Sequence, residues 1–169
     1  YQPEYGTLTF AAGETDQTIT VLVDGDEVLE YDESFVVNLS STWAYGTILN
    51  DDGAVVNIFD STVYEGDYDS TLFYFVVTLS VPLEETVTVT FTTVGGTAHA
   101  GSDYLATSGT LTFVPGQTSE WIWVEVLGDT SYEFDEEFYV VLTSSSSNSL
   151  IGQAWGTGTI VDNDYFEWW

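Results

Sequence analysis

The chain has 169 residues, 44% of them hydrophobic, enough for one large domain or for one complete and one partial small domain with a real core. Its 28 acidic residues meet no Lys or Arg, and the formal charge of -28 repels nucleic acid and anionic lipid, so neither is expected as a partner. Cysteine is absent, which excludes disulfides and thiolate metal sites.

With no basic side chain to neutralise them, clustered carboxylates must turn to backbone donors, hydroxyls, protons or a divalent cation. The chain begins with Tyr1, shows no signal-peptide pattern and has no apolar run of about 18 residues. It therefore reads as a processed piece of something longer, and no membrane insertion is expected.

Helix signals are scarce, whereas period-two segments rich in Val, Thr, Ile and aromatics recur between Gly, Asp, Asn and Ser clusters, as half-buried strands require. In chain order, the inward positions predicted are Leu8 and Phe10; Ile19, Val21 and Val23; Phe35, Val37 and Leu39; then Val87, Val89 and Phe91; and Ile122, Val124 and Val126. The fold class is all-β.

An internal repeat organises these strands. Residues Gly6 to Leu39 align without a gap to Gly109 to Leu142, with roughly half the positions identical, and GTILNDD from Gly46 matches GTIVDND from Gly158. The second copy has a longer spacing between the two blocks because it carries the Ser-rich stretch Ser144 to Ser149, read as an extended hairpin loop. Residues 53–164 are thus expected to be one complete repeat of β-sandwich length. Residues 1–52 form only the C-terminal half of one, and 165–169 stand where a following strand would start.

Five blocks in order carry a resemblance to a known family: Val63-Tyr64-Glu65-Gly66; Gly96 through Tyr104; Gly109-Thr110-Leu111-Thr112-Phe113; the acidic run Gly128 to Phe138; and Asp162-Asn163-Asp164. Together they resemble the Calx-β repeat of calcium-regulated exchanger loops and of cell-surface and matrix proteins. The resemblance implies an immunoglobulin-like antiparallel β-sandwich with Ca2+ held at one end by loop carboxylates. The matching positions are Glu65, Asp103, Asp129, Glu133, Glu136, Asp162 and Asp164, and in the partial copy Asp26, Glu30, Glu33, Asp51 and Asp52.

The chemistry is independently reasonable, because calcium takes six to eight hard oxygens in a flexible shell. Two carboxylates about 4 Å apart repel by about 1 kcal/mol in water and by about 4 kcal/mol at an effective dielectric of about 20. The chain departs from the pattern of multi-calcium members at Gly128-Asp129-Thr130 and at Asn163, which implies one or two ions rather than four. The partial copy lacks counterparts of Glu65 and Asp103, so its site is only partly formed.

Other motifs have simpler readings. Acidic loops alone would fit ordinary solvated turns, and Asp24-Gly25-Asp26 lacks the further ligands and flanking helices of an EF-hand. His99 is the only histidine, and no nucleophile, base and orienting group can be assembled around it, so no enzyme is expected. Chance pairs among many acids make a glycosidase reading weak.

Trp121 and Trp123 fall on the face opposite Ile122, Val124 and Val126, where the partial copy has Thr18 and Thr20. That face points first to contact with a neighbouring domain or subunit, and otherwise to sugar rings or to cover by a loop of the same domain. Asn38-Leu39-Ser40 is a glycosylation sequon on an outward strand position.

The function expected is a calcium-binding extracellular or cell-surface module, structural or adhesive, in which calcium stiffens junctions between repeats or subunits of an array or filament. A carbohydrate-binding module and a calcium sensor are the alternatives. Its partners would be neighbouring repeats or copies of itself, with glycans as a further class.

Overall fold

A computed structural model describes residues 1–26 and 28–165. The chain divides into two compact units, Tyr1–Val28 with Asp32–Asn50, and Leu29–Tyr31 with Asp51 onward.

In the first unit the described strands are β1 (Glu33–Leu39) and β2 (Thr42–Ile48), an antiparallel hairpin in register from Glu33 opposite Ile48 to Leu39 opposite Thr42. Ser40, with φ 52°, turns the corner. Gly46 lies across from Phe35, and a Cβ there would collide with the Phe35 ring.

The strands expected around Leu8 and Phe10 and around Ile19 to Val23 do not form. A strand is held by backbone hydrogen bonds to its neighbours and by a facing apolar layer, and among the described residues no strand lies beside these segments. The predicted inward row borders an open hollow of about 790 Å³, lined by Tyr1, Leu8, Ile19, Val21, Phe35 and Leu39 among others. Leu8, Phe10, Ile19 and Leu39 are all exposed.

The second unit is a sandwich. Its strands are β3 (Ala54–Ile58), β4 (Ser61–Tyr64), β5 (Ser70–Leu79), β6 (Val87–Gly95), β7 (Ser108–Phe113), β8 (Ser119–Leu127), β9 (Glu136–Ser145), β10 (Ser149–Gln153) and β11 (Trp155–Val161). One sheet has the order β10-β3-β5-β8 and the other β4-β11-β9-β6-β7.

The interior pairings are antiparallel, while β10 with β3 and β11 with β4 are parallel. The parallel pairs arise because β3 and β4 are one strand direction that changes sheet at Phe59 and Asp60. There Phe59 N–H donates to Val76 O at 3.1 Å, and Asp60 Oδ1 accepts from Thr157 N–H at 2.7 Å.

Period-two alternation builds the core. Phe73, Phe75 and Val77 of β5 and Ile122, Val124 and Val126 of β8 face Val87 and Val89 of β6, Leu111 and Phe113 of β7 and Phe138, Val140 and Leu142 of β9, all buried. Phe138 sits at the centre, edge-on to Phe73 and Phe75 at 5.8 and 5.7 Å and stacked on Tyr104 at 4.4 Å. Gly158 opposite it has no room for a Cβ, which would stand 2.7 Å from Phe75 and 2.9 Å from Phe138.

The Ser-rich stretch is more than a loop. Ser144 and Ser145 belong to β9, a short turn follows, and β10 then covers the outer edge of β3, starting from Ala54 N–H donating to Asn148 O at 3.3 Å. An otherwise open edge is thereby paired.

Candidate metal centre

The antiparallel ladder decides which loops meet. β4, β6, β8 and β11 all end at one pole of the sandwich, so the segments after Tyr64, Gly95, Leu127 and Val161 converge there. These segments carry all seven acidic positions predicted for the complete copy.

Glu65 extends β4 by one residue, its N–H donating to Val161 O at 3.2 Å and its C=O accepting from the Thr71 hydroxyl at 2.9 Å. The chain then turns at Gly66 (φ 85°), whose N–H donates to Asn163 Oδ1 at 3.0 Å. Gly128 packs its α-carbon against the Gly66 carbonyl so closely that any Cβ would collide with it. This glycine contact brings the Glu65 and Asp129 loops together, and Gly128 N–H is anchored on Asp69 O at 3.0 Å.

Two groups result, in each of which one potential ligand atom per residue lies within 4.8 Å of the others: Glu65, Asp162 and Asp164, and His99, Asp103 and Glu136. Glu65 is buried and its Oε1 has no hydrogen-bond partner; the same holds for the buried Oδ2 of Asp164. Asp162 organises the closing loop, its Oδ1 accepting from Asp164 N–H at 2.7 Å and its Oδ2 from Glu133 N–H at 2.8 Å. Asp103 Oδ2 accepts from His99 N–H at 2.6 Å, closing the turn that leads to buried Tyr104. Asp129 Oδ1 accepts from Ser131 N–H at 2.6 Å.

The electrostatics join the two groups. Burial pushes the Glu65 carboxyl up to about 7, helped by Asp162, Asp129 and Asp164. Burial and the neighbouring Asp103 push Glu136 up to about 7 as well, with Glu133 adding to the effect. Glu133 is raised by desolvation and then by Asp129, Asp103, Asp162 and Asp164, so it feels both groups at once. Asp164 is raised by desolvation, Asp162, Asp67 and Asp129. Four raised carboxyls in one place mean that the site either holds protons or needs a cation.

The sequence model of the Calx-beta domain matches residues 1–62 and 50–164. The chain belongs to the Calx-β family. It is 28% identical, over an alignment of 179 positions that covers 87% of this chain, to adhesion G-protein coupled receptor V1 of Danio rerio. It is 44% identical over 71 residues, 42% of its length, to sodium/calcium exchanger 1 of Rattus norvegicus. The chain spans 3% of the first of these proteins and 7% of the second.

A crystal structure of the apo-form Calx CBD1 domain superposes with a TM-score of 0.61 at 28% identity, covering 66% of this chain and 99% of that domain. The all-β sandwich and the Calx-β resemblance read from the sequence both stand.

The candidates of the partial Calx-β copy are not gathered in the same way. Among the described residues, neither close group includes Asp26, Glu30, Glu33, Asp51 or Asp52. Asp26 Oδ1 accepts from Val28 N–H at 2.8 Å, a local turn. Glu30 is exposed, and Glu33 is an exposed residue opening β1. Asp51 and Asp52 border a shallow cleft of about 220 Å³ with Glu84 and Glu85, at the pole of the sandwich opposite the seven-residue cluster.

Three residues of the metal centre escaped sequence reasoning. Asp135 Oδ1 accepts from Asp162 N–H at 3.3 Å, Asp67 Oδ1 accepts from Asn163 Nδ2 at 2.9 Å, and His99 borders the Asp103 carboxylate, Nδ1 to Oδ2 3.9 Å. The repeat does signal the first, since Asp32 holds the equivalent place and its Oδ1 accepts from Asn50 N–H at 2.9 Å. Asn163 supplies an amide oxygen to Gly66 rather than a third aspartate charge.

Proposed function

We propose that this chain is a calcium-binding Calx-β module of a structural or adhesive protein at the cell surface or in the matrix, in which bound calcium stiffens the loop pole where one repeat meets its neighbour. The observation that carries this reading is the pair of buried, unpartnered oxygens, Glu65 Oε1 and Asp164 Oδ2, inside a carboxylate cluster of a chain with no Lys or Arg.

The donors are all oxygen apart from the exposed His99 at the rim, the set that a hard divalent cation takes and a thiolate-seeking metal does not. Glu65, Asp129, Asp162 and Asp164 would hold one ion, and Asp103, Glu133 and Glu136 a second beside it. The calcium would supply positive charge and a shared coordination shell that ties four loops; the chain's own part is to orient these carboxylates through the Gly66 and Gly128 contact and the Asp162 hydrogen bonds. This is a binding role and not a catalytic one.

The wider setting is supported by the likeness to an adhesion receptor and by the exposed apolar row of the first unit, which needs cover. We take that cover to be strands of a neighbouring repeat or copy, consistent with a self-associating array.

Titration calorimetry tests the calcium site. Glu65→Gln with Asp164→Asn should weaken calcium binding by about tenfold or more, because ligand charge sets affinity in such sites. Glu84→Gln with Glu85→Gln, an equal charge change at the other pole, should leave binding within about twofold. Equal losses in the two pairs would reduce the site to diffuse counterion attraction.

A further inference from the structure

The free margin of β8 has a chemistry that the calcium pole does not use. β8 is the edge of its sheet, and among the described residues β5 is its strand partner, with an isolated bridge from Val126 to Tyr104 on the outer side. Near its C-terminal end the outer side is occupied, since Leu105 N–H donates to Glu125 O at 2.8 Å and Leu127 N–H donates to Asp103 O at 2.9 Å. Amide groups in an antiparallel strand alternate sides, so Trp121 and Trp123 present their N–H and C=O groups to the same outer side. Trp121 N–H meets the Glu120 carboxylate at 3.3 Å, and among the described residues no strand lies beside this stretch.

The side chains of the same residues make an apolar strip on the exposed face. Trp121 and Trp123 are 45% and 53% exposed, opposite Val76 and Tyr74 of β5, with Leu72 at 66% next along. The Tyr74 and Trp123 rings stand 5.4 Å apart. The repeat itself does not demand aromatics here, because the first copy carries Thr18 and Thr20 at these positions. Natural edges are usually blunted by Lys, Pro or a bulge, and this margin has none of them.

We propose that the β8 margin accepts an extended basic segment as an added strand, its main chain pairing with Trp121 and Trp123 and its alternate Lys or Arg side chains lying over the indole and phenol faces. Charge complementarity selects this occupant. A second copy of this chain has no Lys or Arg to lay over the rings, whereas a basic segment gains from the indole faces, from Glu125 on the same face and from the Glu120 carboxylate beside Trp121 N–H. Main-chain pairing supplies affinity, and the alternate pattern of cations supplies specificity.

The probe is a synthetic peptide of about ten residues with alternating Lys and Thr, the length of a long strand, titrated into the full chain. The buffer holds about 0.15 M salt, where charges beyond about 8 Å are screened. Binding should perturb tryptophan fluorescence and the amide resonances of Trp121 to Val124. Trp121→Thr with Trp123→Thr, which installs the residues of the first copy, should weaken it by about tenfold.

The same loss is expected with unchanged protein when the Lys residues are gathered in one block, or when the edge-facing peptide nitrogens are methylated. Those two arms hold even if the double variant misfolds. Equal binding of the blocked or methylated peptide would overturn strand addition. So would tryptophan quenching by a soluble glucan oligosaccharide with none by the alternating peptide, which would make the strip a sugar-stacking surface.

Discussion

The two copies of one repeat give opposite outcomes from nearly the same sequence. Leu111 and Phe113 are 9% and 1% exposed in the second unit, while their counterparts Leu8 and Phe10 are 37% and 52% exposed in the first. Ile122 and Val126 form strand and core; Ile19 and Val23 form neither. The residues Thr-Leu-Thr-Phe do not make a strand by themselves. β5 beside β8 and β6 beside β7 convert the pattern into structure, and among the described residues of the first unit no strand takes the place of β5 or β6. What survives in the first unit is the β1 and β2 hairpin, whose two strands are each other's partner.

The largest test of that contrast is core truncation. Phe138→Ala should cost about 3 to 5 kcal/mol, because it empties the centre of a closed sandwich. Phe35→Ala, at the equivalent place, should change stability by no more than about 0.5 kcal/mol, as expected away from a sealed core. Urea denaturation of the two variants measures the difference, and hydrogen exchange should find the amides of residues 109–126 protected and those of 6–23 not. A comparable loss for Phe35→Ala would mean that the first unit closes a core of its own.

Calcium should sharpen the contrast by a somewhat smaller amount. An ion that binds the folded pole and not the unfolded chain adds RT ln(1 + [L]/Kd), about 2.7 kcal/mol at about a hundred times Kd. The melting temperature of the second unit should rise in calcium and fall in chelator, and Glu133→Gln with Asp162→Asn should abolish the rise. Asp51→Asn with Asp52→Asn should preserve it, since those two stand at the other pole. Calorimetric traces that coincide with and without calcium would remove the metal centre.

Much of the sandwich was legible because its signals are local and redundant. Period-two alternation marks β6 and β8, and the internal repeat carries the pattern of Phe35, Val37 and Leu39 over to β9. The seven carboxylates came from the family resemblance rather than from periodicity, and the sandwich carries them to one pole, Glu136 as the first residue of β9 and the others in the loops there. Three things lay beyond that kind of reading.

The failure of the first unit's early strands depends on absent neighbours, which periodicity cannot register. β10 takes only the last residue of the Ser-rich stretch, Ser149, and continues through Leu150 and Ile151, a run too short to read as a strand without the edge of β3 beside it. The partial copy's Asp51 and Asp52 follow the motif in sequence, but they lie with Glu84 and Glu85 because the start of β3 carries them to the opposite pole. The pairing strand expected from Tyr165 to Trp169 lies, beyond Tyr165, outside the described residues.

The smallest effect, and the one that separates protons from metal at the pole, is its pH dependence. Glu65 and Glu136 have carboxyls held up at about 7 from an ordinary 4.5, and Glu133 and Asp164 are raised as well. A carboxyl that holds its proton more tightly when folded stabilises the fold fully below its unfolded value and loses that contribution as pH rises through the folded one. Glu65 and Glu136 should therefore cost the calcium-free second unit about 1 to 2 kcal/mol of stability between about pH 4.5 and 7, once water screens the loop charges. Calcium must displace the same protons, so its affinity should climb across that interval, and calcium-bound protein should show a flatter profile above pH 7. Glu65→Gln removes the buried titrating oxygen and should flatten the calcium-free profile while also weakening calcium binding. Melting curves taken from pH 4.5 to 8 with chelator and with calcium make the measurement. Stability of the calcium-free unit that rose with pH over this range would mean that the pole is solvated, with its carboxylates too far apart to share either a proton or an ion.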